Sequence, residues 1–391
     1  YWYLLFFSMN KKNILIYGAT GSIGDSVLSL IRENRDQFNV IGMTCDKNVE
    51  KLRILANEFD TKNIGIASYN KEFNYKKYFP DKNIFFKLEE FKELIDDNVD
   101  IIIFAISGVS ILNLSLHVAK SGKIVGMANK ECIISLGDII LDTASSHNTK
   151  IVPLDSEHNS IYQLLNQNNL LFESITITAT GGPFLNKRFS DFKNIKPDEA
   201  VKHPVWKMGK KISIDSATMV NKGLELIEAR FLFNLATDKI NVLVHPQAII
   251  HGFVTYKDNS TVSFMSYPDM RIPISNLLFP DKNVDLNDLY LDLAKIKTLS
   301  FYDVDDNKFP AINFAKEVSR IGGLAPNVFN YVNEKLVNLF IDKRIQFLDI
   351  VNFNISTLEK YFASNSNINK PTIDDIYNFN KWIDSNIYLG D

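Results

Sequence analysis

A chain of 391 residues is longer than one ordinary hydrophobic core supports, so two or three domains are expected, and 46% hydrophobic with 23% charged content is that of a globular protein. A net charge of −3 excludes the basic field that broad nucleic-acid binding needs. Two distant cysteines, Cys45 and Cys132, exclude a disulfide scaffold and suit a reducing compartment, and no apolar run approaches the length of a membrane span. Residues Tyr1 to Ser8 are apolar but lack a basic leader and a cleavage pattern. They are read as a non-native extension ahead of a natural start at Met9, not as a signal peptide.

Asn13 to Tyr17 is a short apolar run and therefore a buried parallel strand. Gly18-Ala-Thr-Gly-Ser-Ile-Gly24 follows at once, and Asp25 to Ile31 has helical spacing. Strand, glycine turn and helix form the context of a dinucleotide site, with a pyrophosphate held at the helix N-terminus. A second strand, Val40 to Thr44, leads into Cys45-Asp46-Lys47-Asn48, where the adenosine ribose is read. Asp46 suits a ribose 2′-hydroxyl and therefore NAD; Lys47 and Asn48 suit a 2′-phosphate and therefore NADP; the residues leave both open.

Further strands are expected at 64–66, 83–86, 101–105, 123–126 and 150–153. Ligands of open parallel sheets lie beyond the carboxyl ends of the strands. Asn129-Lys130-Glu131 and Asp155-Ser156-Glu157 both fall there, with Lys130 either a substrate contact or a salt-bridge partner. From Ser174 to Thr178 the residues alternate, which predicts a half-exposed strand of a different sheet. Residues 186–211 are polar and carry Trp206, the pattern of a lid that excludes water. Val242 to Gly252 and Thr261 to Ser266 read as strands. His245 and His251 lack a third nitrogen or sulfur ligand, so zinc is not expected. Residues 281–306 read as a linker, and helical spacing runs from Ala311 to the end.

Asp155 and Glu157 after a strand, with Glu225 and Glu228 on a predicted helix, are carboxylates from separate elements and point to a hard metal held by oxygen. Asn221-Lys222, just ahead of that helix, points to an anion at its N-terminus. The fold class is α/β: an N-terminal Rossmann-like parallel sheet, a central α+β catalytic domain and a C-terminal helical domain.

The glycine turn, Ala128-Asn-Lys-Glu131, Pro153-Leu-Asp-Ser-Glu-His-Asn159, the run from His203 to Arg230, His245-Pro-Gln247 and Pro268-Asp-Met-Arg271 resemble the 1-deoxy-D-xylulose 5-phosphate reductoisomerase family, in order from about Met9 to the C-terminus. The resemblance implies conversion of that sugar phosphate to 2-C-methyl-D-erythritol 4-phosphate on the non-mevalonate isoprenoid route, with NADPH and Mn2+ or Mg2+, in a homodimer. It implies Asp155, Glu157 and Glu225 as metal ligands with Glu228 behind them, and Lys130, Glu157, Glu225 and His203 as catalytic. Lys130, Ser156, Thr180, His203, Trp206, Ser216, Asn221 and Lys222 would bind substrate. Gly18, Thr20, Gly21, Ser22, Ile23, Gly24, Lys47, Asn48, Asn129, Glu131 and Gly209 would line the cofactor. The implied division is 9–154 for NADPH, 155–280 for catalysis with a flap at 180–211, a linker at 281–310 and helices at 311–391. A bacterial cytoplasm is expected, with a plastid-type organelle as the alternative. Two residues depart from the family pattern: Thr180 stands where serine is usual, and Asp46 where a small residue is usual. Rival readings are a short-chain dehydrogenase, for which Tyr78/Lys82, Tyr331/Lys335 and Tyr377/Lys381 have the spacing, and a nucleotide sensor that has lost its chemistry.

Overall fold

The computed structural model describes residues 11–167, 171–206, 208–364 and 367–386. The expected extension at residues 1–8 lies outside them. Seven strands form one parallel sheet: β1 (Lys12–Tyr17), β2 (Phe38–Cys45), β3 (Asn63–Ile66), β4 (Asn83–Phe86), β5 (Ile101–Phe104), β6 (Ile124–Met127) and β7 (Lys150–Pro153). Their order is β4-β3-β2-β1-β5-β6-β7. The direction of winding reverses between β1 and β5, the switch point at which open α/β sheets bind ligands. The glycine turn lies there.

The near-continuous apolar strands are explained by burial on both faces. Leu15, Tyr17, Ile102 and Phe104 join one core, and Ile14, Ile16, Ile101 and Ile103 join the other. The first core continues into the C-terminal helices Ala311–Ile321, Ala325–Ile341, Phe347–Ser364 and Ile373–Asn386. The second also includes Ile274, Leu277 and Leu278 of the helix Arg271–Leu278, with Leu277 against Gly126 of β6. By packing, that helix belongs with the parallel sheet, although it falls late in the expected catalytic segment.

A second sheet contains β8 (Phe172–Ala179), β9 (Ile240–Val244), β10 (Ile250–Tyr256) and β11 (Thr261–Met265), ordered β11-β10-β8-β9. The run expected as one strand from Val242 to Gly252 is two. Pro246 cannot donate to a ladder, and Ala248 takes a left-handed φ of 51°, so His245 to Ile249 turns the chain. The 281–310 segment carries the short helices Asn287–Leu289 and Leu293–Ile296 and is tied to β9 through reciprocal bonds between Val244 and Tyr302. The expected flap is likewise anchored over most of its length. It holds a 3-10 helix (Phe189–Asn194) and a turn of helix (Pro197–Ala200), with Phe184, Phe192 and Ile195 buried.

Two glycines are required by close approach. A Cβ at Gly24 would lie 2.3 Å from Ala19 O, and one at Gly223 would lie 2.9 Å from Ala315 Cβ, where the Glu225 helix meets Ala311–Ile321. Gly24→Ala therefore forces the first helix off its strand and is expected to lower stability by about 1–3 kcal/mol. Urea unfolding checks this: an unchanged midpoint would mean that the turn tolerates the methyl.

Candidate active site

The loops at the carboxyl ends of β6 and β7 deliver the first charged groups. Asn129 caps the helix Lys130–Leu136 by accepting from Cys132 N (2.6 Å), and its Nδ2 donates to Ile106 O and Gly108 O. Lys130 is thereby held at the first helical position. Asp155 follows β7, and Glu157 lies in the first turn of Ser156–Gln167. Glu225 comes from Val220–Leu232. Asn221 and Lys222, expected just ahead of this helix, lie in its first turn. The preceding residue, Met219, is a buried non-glycine residue with φ 62°, the strained backbone that clusters at functional sites.

Two ammonium groups sit among three carboxylates. Lys130 Nζ is 2.7 Å from Asp155 Oδ2, 2.7 Å from Glu225 Oε1 and 3.1 Å from Asn221 Oδ1. Lys222 Nζ donates to Glu157 Oε1 at 2.7 Å and also to Glu225 Oε2. Ser156 Oγ donates to Glu157 Oε2 at 2.6 Å. One oxygen from each of Asp155, Glu157 and Glu225 lies within 4.8 Å of the others. Burial opposes every charge here, so pairing decides which survive. Burial would raise Asp155, but Lys130 holds it well below the usual carboxylate range. Burial would lower Lys130, but Asp155 and Glu225 hold it well above its ordinary value. Glu157 is pushed up to about 8 by burial and by its neighbours Glu225 and Asp155, against the pull of Lys222. Three carboxylates thus face two ammoniums, and the excess negative charge is relieved by the proton that Glu157 retains near neutral pH.

Glu228 lies one turn along but is not among the converging oxygens. Its Oε2 is 3.2 Å from His158 Nδ1, and His158 Nε2 is 2.9 Å from Glu225 O. The imidazole must carry its proton on Nε2 to meet that carbonyl. Burial raises Glu228 well above the ordinary carboxylate range, and its Oε2 packs against Nδ1 without a hydrogen bond. Burial also lowers His158, and its Nε2 contact buttresses the backbone carbonyl of Glu225.

On the opposite wall, His203 Nδ1 accepts from Val205 N (3.1 Å) and Trp206 N (2.8 Å). Its Nε2–H is therefore the donor to Thr180 Oγ1 at 2.9 Å. Burial pushes this imidazole down to about 4, so it is neutral at pH 7. Trp206 leans toward His251, ring centroids 6.3 Å apart. A cavity of about 490 Å³ joins these groups and also reaches Ser22, Ile23, Ser216 and Gly209, within the range of small-molecule sites. Thr20, Lys47, Asn48, Asn129 and Glu131 lie outside it. Asn48 caps Val49–Glu58 by accepting from Lys51 N (3.1 Å), and Glu131 pairs with Lys211 (3.3 Å). Tyr331 and Lys335 do meet, at 4.9 Å from ring centroid to Nζ, but with Asp384 among the C-terminal helices and away from the cavity.

A buried network behind the Lys130 helix was not legible in advance. Lys211 Nζ reaches Asp215 Oδ2 (2.8 Å) as well as Glu131, Asn333 Nδ2 donates to Asp215 Oδ1 (2.7 Å), and Asn330 Nδ2 to Glu131 O (3.2 Å). The Lys211–Asp215 spacing of four is a helical pair signal. Nothing local marks the two asparagines.

Three family models match the chain: 1-deoxy-D-xylulose 5-phosphate reductoisomerase over residues 14–137, the C-terminal domain of that enzyme over 151–233, and the DXP reductoisomerase C-terminal domain over 265–385. A reductoisomerase of Thermoanaerobacter pseudethanolicus is 37% identical over 382 residues, 96% of this chain and 98% of its own. One from Sulfurihydrogenibium sp. is 40% identical over 364 residues, 93% of each. Among solved structures, the Zymomonas mobilis enzyme in complex with NADPH superposes with a TM-score of 0.86 at 35% identity, covering 95% of this chain and 97% of that one. A DOX-P reductoisomerase in complex with NADPH, fosmidomycin and magnesium gives 0.89 at 34% identity, covering 96% and 97%.

Asn333 is fully buried against Asp215. Asn333→Ala is expected to cost about 1–3 kcal/mol, because it leaves a buried carboxylate oxygen without its donor. Chemical denaturation measures this, and a loss below experimental error would remove the bond from any structural role.

Proposed function

We propose how this site works from one premise: the chain belongs to the 1-deoxy-D-xylulose 5-phosphate reductoisomerase family. It converts 1-deoxy-D-xylulose 5-phosphate to 2-C-methyl-D-erythritol 4-phosphate in isoprenoid biosynthesis, with NADPH and a divalent cation, Mg2+ or Mn2+. No helix among the described residues is long and apolar enough to cross a membrane. In this reading the enzyme works in a bacterial cytoplasm, which the bacterial relatives support, and as a homodimer, which rests on the family resemblance alone.

The observation that carries the residue assignment is the convergence of Asp155, Glu157 and Glu225 with too little positive charge around them. Three hard oxygens from three elements fit Mg2+ or Mn2+, and the charge shortfall is what such an ion relieves. When bound, the cation supplies Lewis-acid polarisation of substrate oxygens and the nicotinamide supplies hydride. Asp155, Glu157 and Glu225 would hold the ion, with Glu228 behind them packed against His158, whose Nε2 meets the backbone carbonyl of Glu225. Lys130 and Lys222 pair with these carboxylates and line the same cavity, where they would meet an anionic substrate. Lys130 and Ser156 meet the sugar backbone. Lys222, Asn221, Ser216 and Thr180 take the phosphate around the first turn of the Glu225 helix. His203, neutral and hydrogen-bonded to Thr180, couples that phosphate wall to Trp206, so the flap closes over an occupied site and keeps water from the rearranging carbon skeleton. Glycines 18, 21 and 24 with Thr20, Ser22 and Ile23 cradle the dinucleotide. Lys47, Asn48, Asn129, Glu131 and Gly209 complete its border, although Asn48, Asn129 and Glu131 commit side-chain atoms to caps and an ion pair.

The test is NADPH oxidation with 1-deoxy-D-xylulose 5-phosphate, with and without Mn2+ after chelation. Metal-independent turnover would sink the carboxylate assignment. Glu225→Gln is expected to lower kcat by roughly three orders of magnitude with NADPH binding retained, the scale of a lost metal-stabilised transition state. Comparable activity at saturating metal would contradict it. Lys222→Ala removes a phosphate contact used equally in ground and transition states, so KM is expected to rise about 10- to 100-fold with kcat little changed. A fall in kcat at unchanged KM would assign Lys222 to the chemistry instead.

A further inference from the structure

We propose that Asp46 reads the adenosine ribose through its carboxylate, so that this chain binds NADH with an affinity within about tenfold of that for NADPH. The inference rests on the nucleotide site assigned above. The glycine turn is strapped to the end of β2: Gly18 N donates to Thr44 Oγ1 and Ala19 N to Thr44 O, both at 2.9 Å. The following helix is tied to the same turn, since Lys51 Nζ donates to Thr20 O at 3.0 Å. Residues Cys45 to Asn48 therefore border the mouth of the turn, where an acidic residue about 20 positions past the glycines reads ribose in dinucleotide folds.

Asp46 is not a free surface carboxylate. Ser68 N donates to its carbonyl oxygen (3.2 Å) and Ser68 Oγ to its Oδ1 (2.5 Å). The side chain is thus held from the end of β3 while remaining solvent-exposed, with Oδ2 left to accept from a ligand. A carboxylate only accepts hydrogen bonds at neutral pH. A ribose 2′-hydroxyl offers it a donor, whereas a 2′-phosphate offers none and carries the same charge. The surrounding cations do not reverse this preference. Lys51 is paired with Asp25 at 2.7 Å and Arg53 with Glu50 at 3.0 Å. Asn48 Oδ1 is committed to its helix cap. The exposed Lys47 remains for a 2′-phosphate, and Asp46 stands directly beside it.

The experiment is equilibrium binding of NADPH and NADH to the full-length, metal-free chain, read by nicotinamide fluorescence, for the wild type, Asp46→Gly, Asp46→Asn and Ser68→Ala. Wild-type Kd values within about tenfold of each other are expected. Asp46→Gly should tighten NADPH and weaken NADH, shifting their ratio by at least about tenfold. Asp46→Asn keeps the shape without the charge and should move the ratio the same way, which covers the case of a poorly folded glycine variant. Ser68→Ala should shift it less. NADPH tighter by more than about a hundredfold in the wild type, or a ratio unmoved by both Asp46 variants, overturns the proposal. Failure of the wild type to bind either cofactor overturns the nucleotide site itself, and this inference with it.

Discussion

The buried charge balance among Asp155, Glu157, Glu225, Lys130 and Lys222 is the constraint on which the catalytic half of the molecule depends. A lone ionised carboxylate could not be kept at this depth. Five groups that answer one another can, provided each is delivered with little freedom. The architecture around them supplies that delivery: two strand ends, a capped helix start and a long helix converge from different parts of the chain. The remaining imbalance is not a defect of folding. Three carboxylates facing two ammoniums are the composition that the proposed cation site requires.

The same logic explains the layer behind. His158 packs beside Glu228, and Lys211 forms ion pairs with Glu131 and Asp215. The first stiffens the backbone of Glu225, and the second ties the Lys130 helix and the helix Lys210–Ala217 to the C-terminal helices through Asn330 and Asn333. Polar groups in these positions cost desolvation and return orientation, a use better matched to an active site than to bulk stability.

The parallel sheet and the carboxylate cluster were largely legible in the residues, because both have local signatures. Uninterrupted apolar runs mark strands buried on two faces, and acidic or basic residues directly after them fall at the ligand-binding end of the sheet. That is why Asp155, Glu157, Lys130 and the glycine turn could be placed in advance. What was not legible depends on partners distant in sequence. The break of the 242–252 run into two strands turns on Pro246 and Ala248 within an otherwise strand-like pattern. The anchoring of residues 184–200 depends on an aromatic pocket completed by Phe309 and Phe347. The fate of Asn333, in a helix that reads as plain core, is decided by Asp215, 118 positions away.

One apolar cluster contains both Leu15 and Ile383, and this bears on how the protein is made. Synthesis proceeds from the N-terminus, so the helices Leu112–Ala119 and Asp138–Ser146 join this core early, while the part built by the last helices stays open until they have been translated. For most of the time the chain spends on the ribosome it carries an uncovered apolar surface of the kind that chaperones recognise. A premature stop soon after the helix Val220–Leu232 would leave every candidate site side chain encoded and that part of the core permanently open. Misfolding, more than missing chemistry, would then be the reason for its failure.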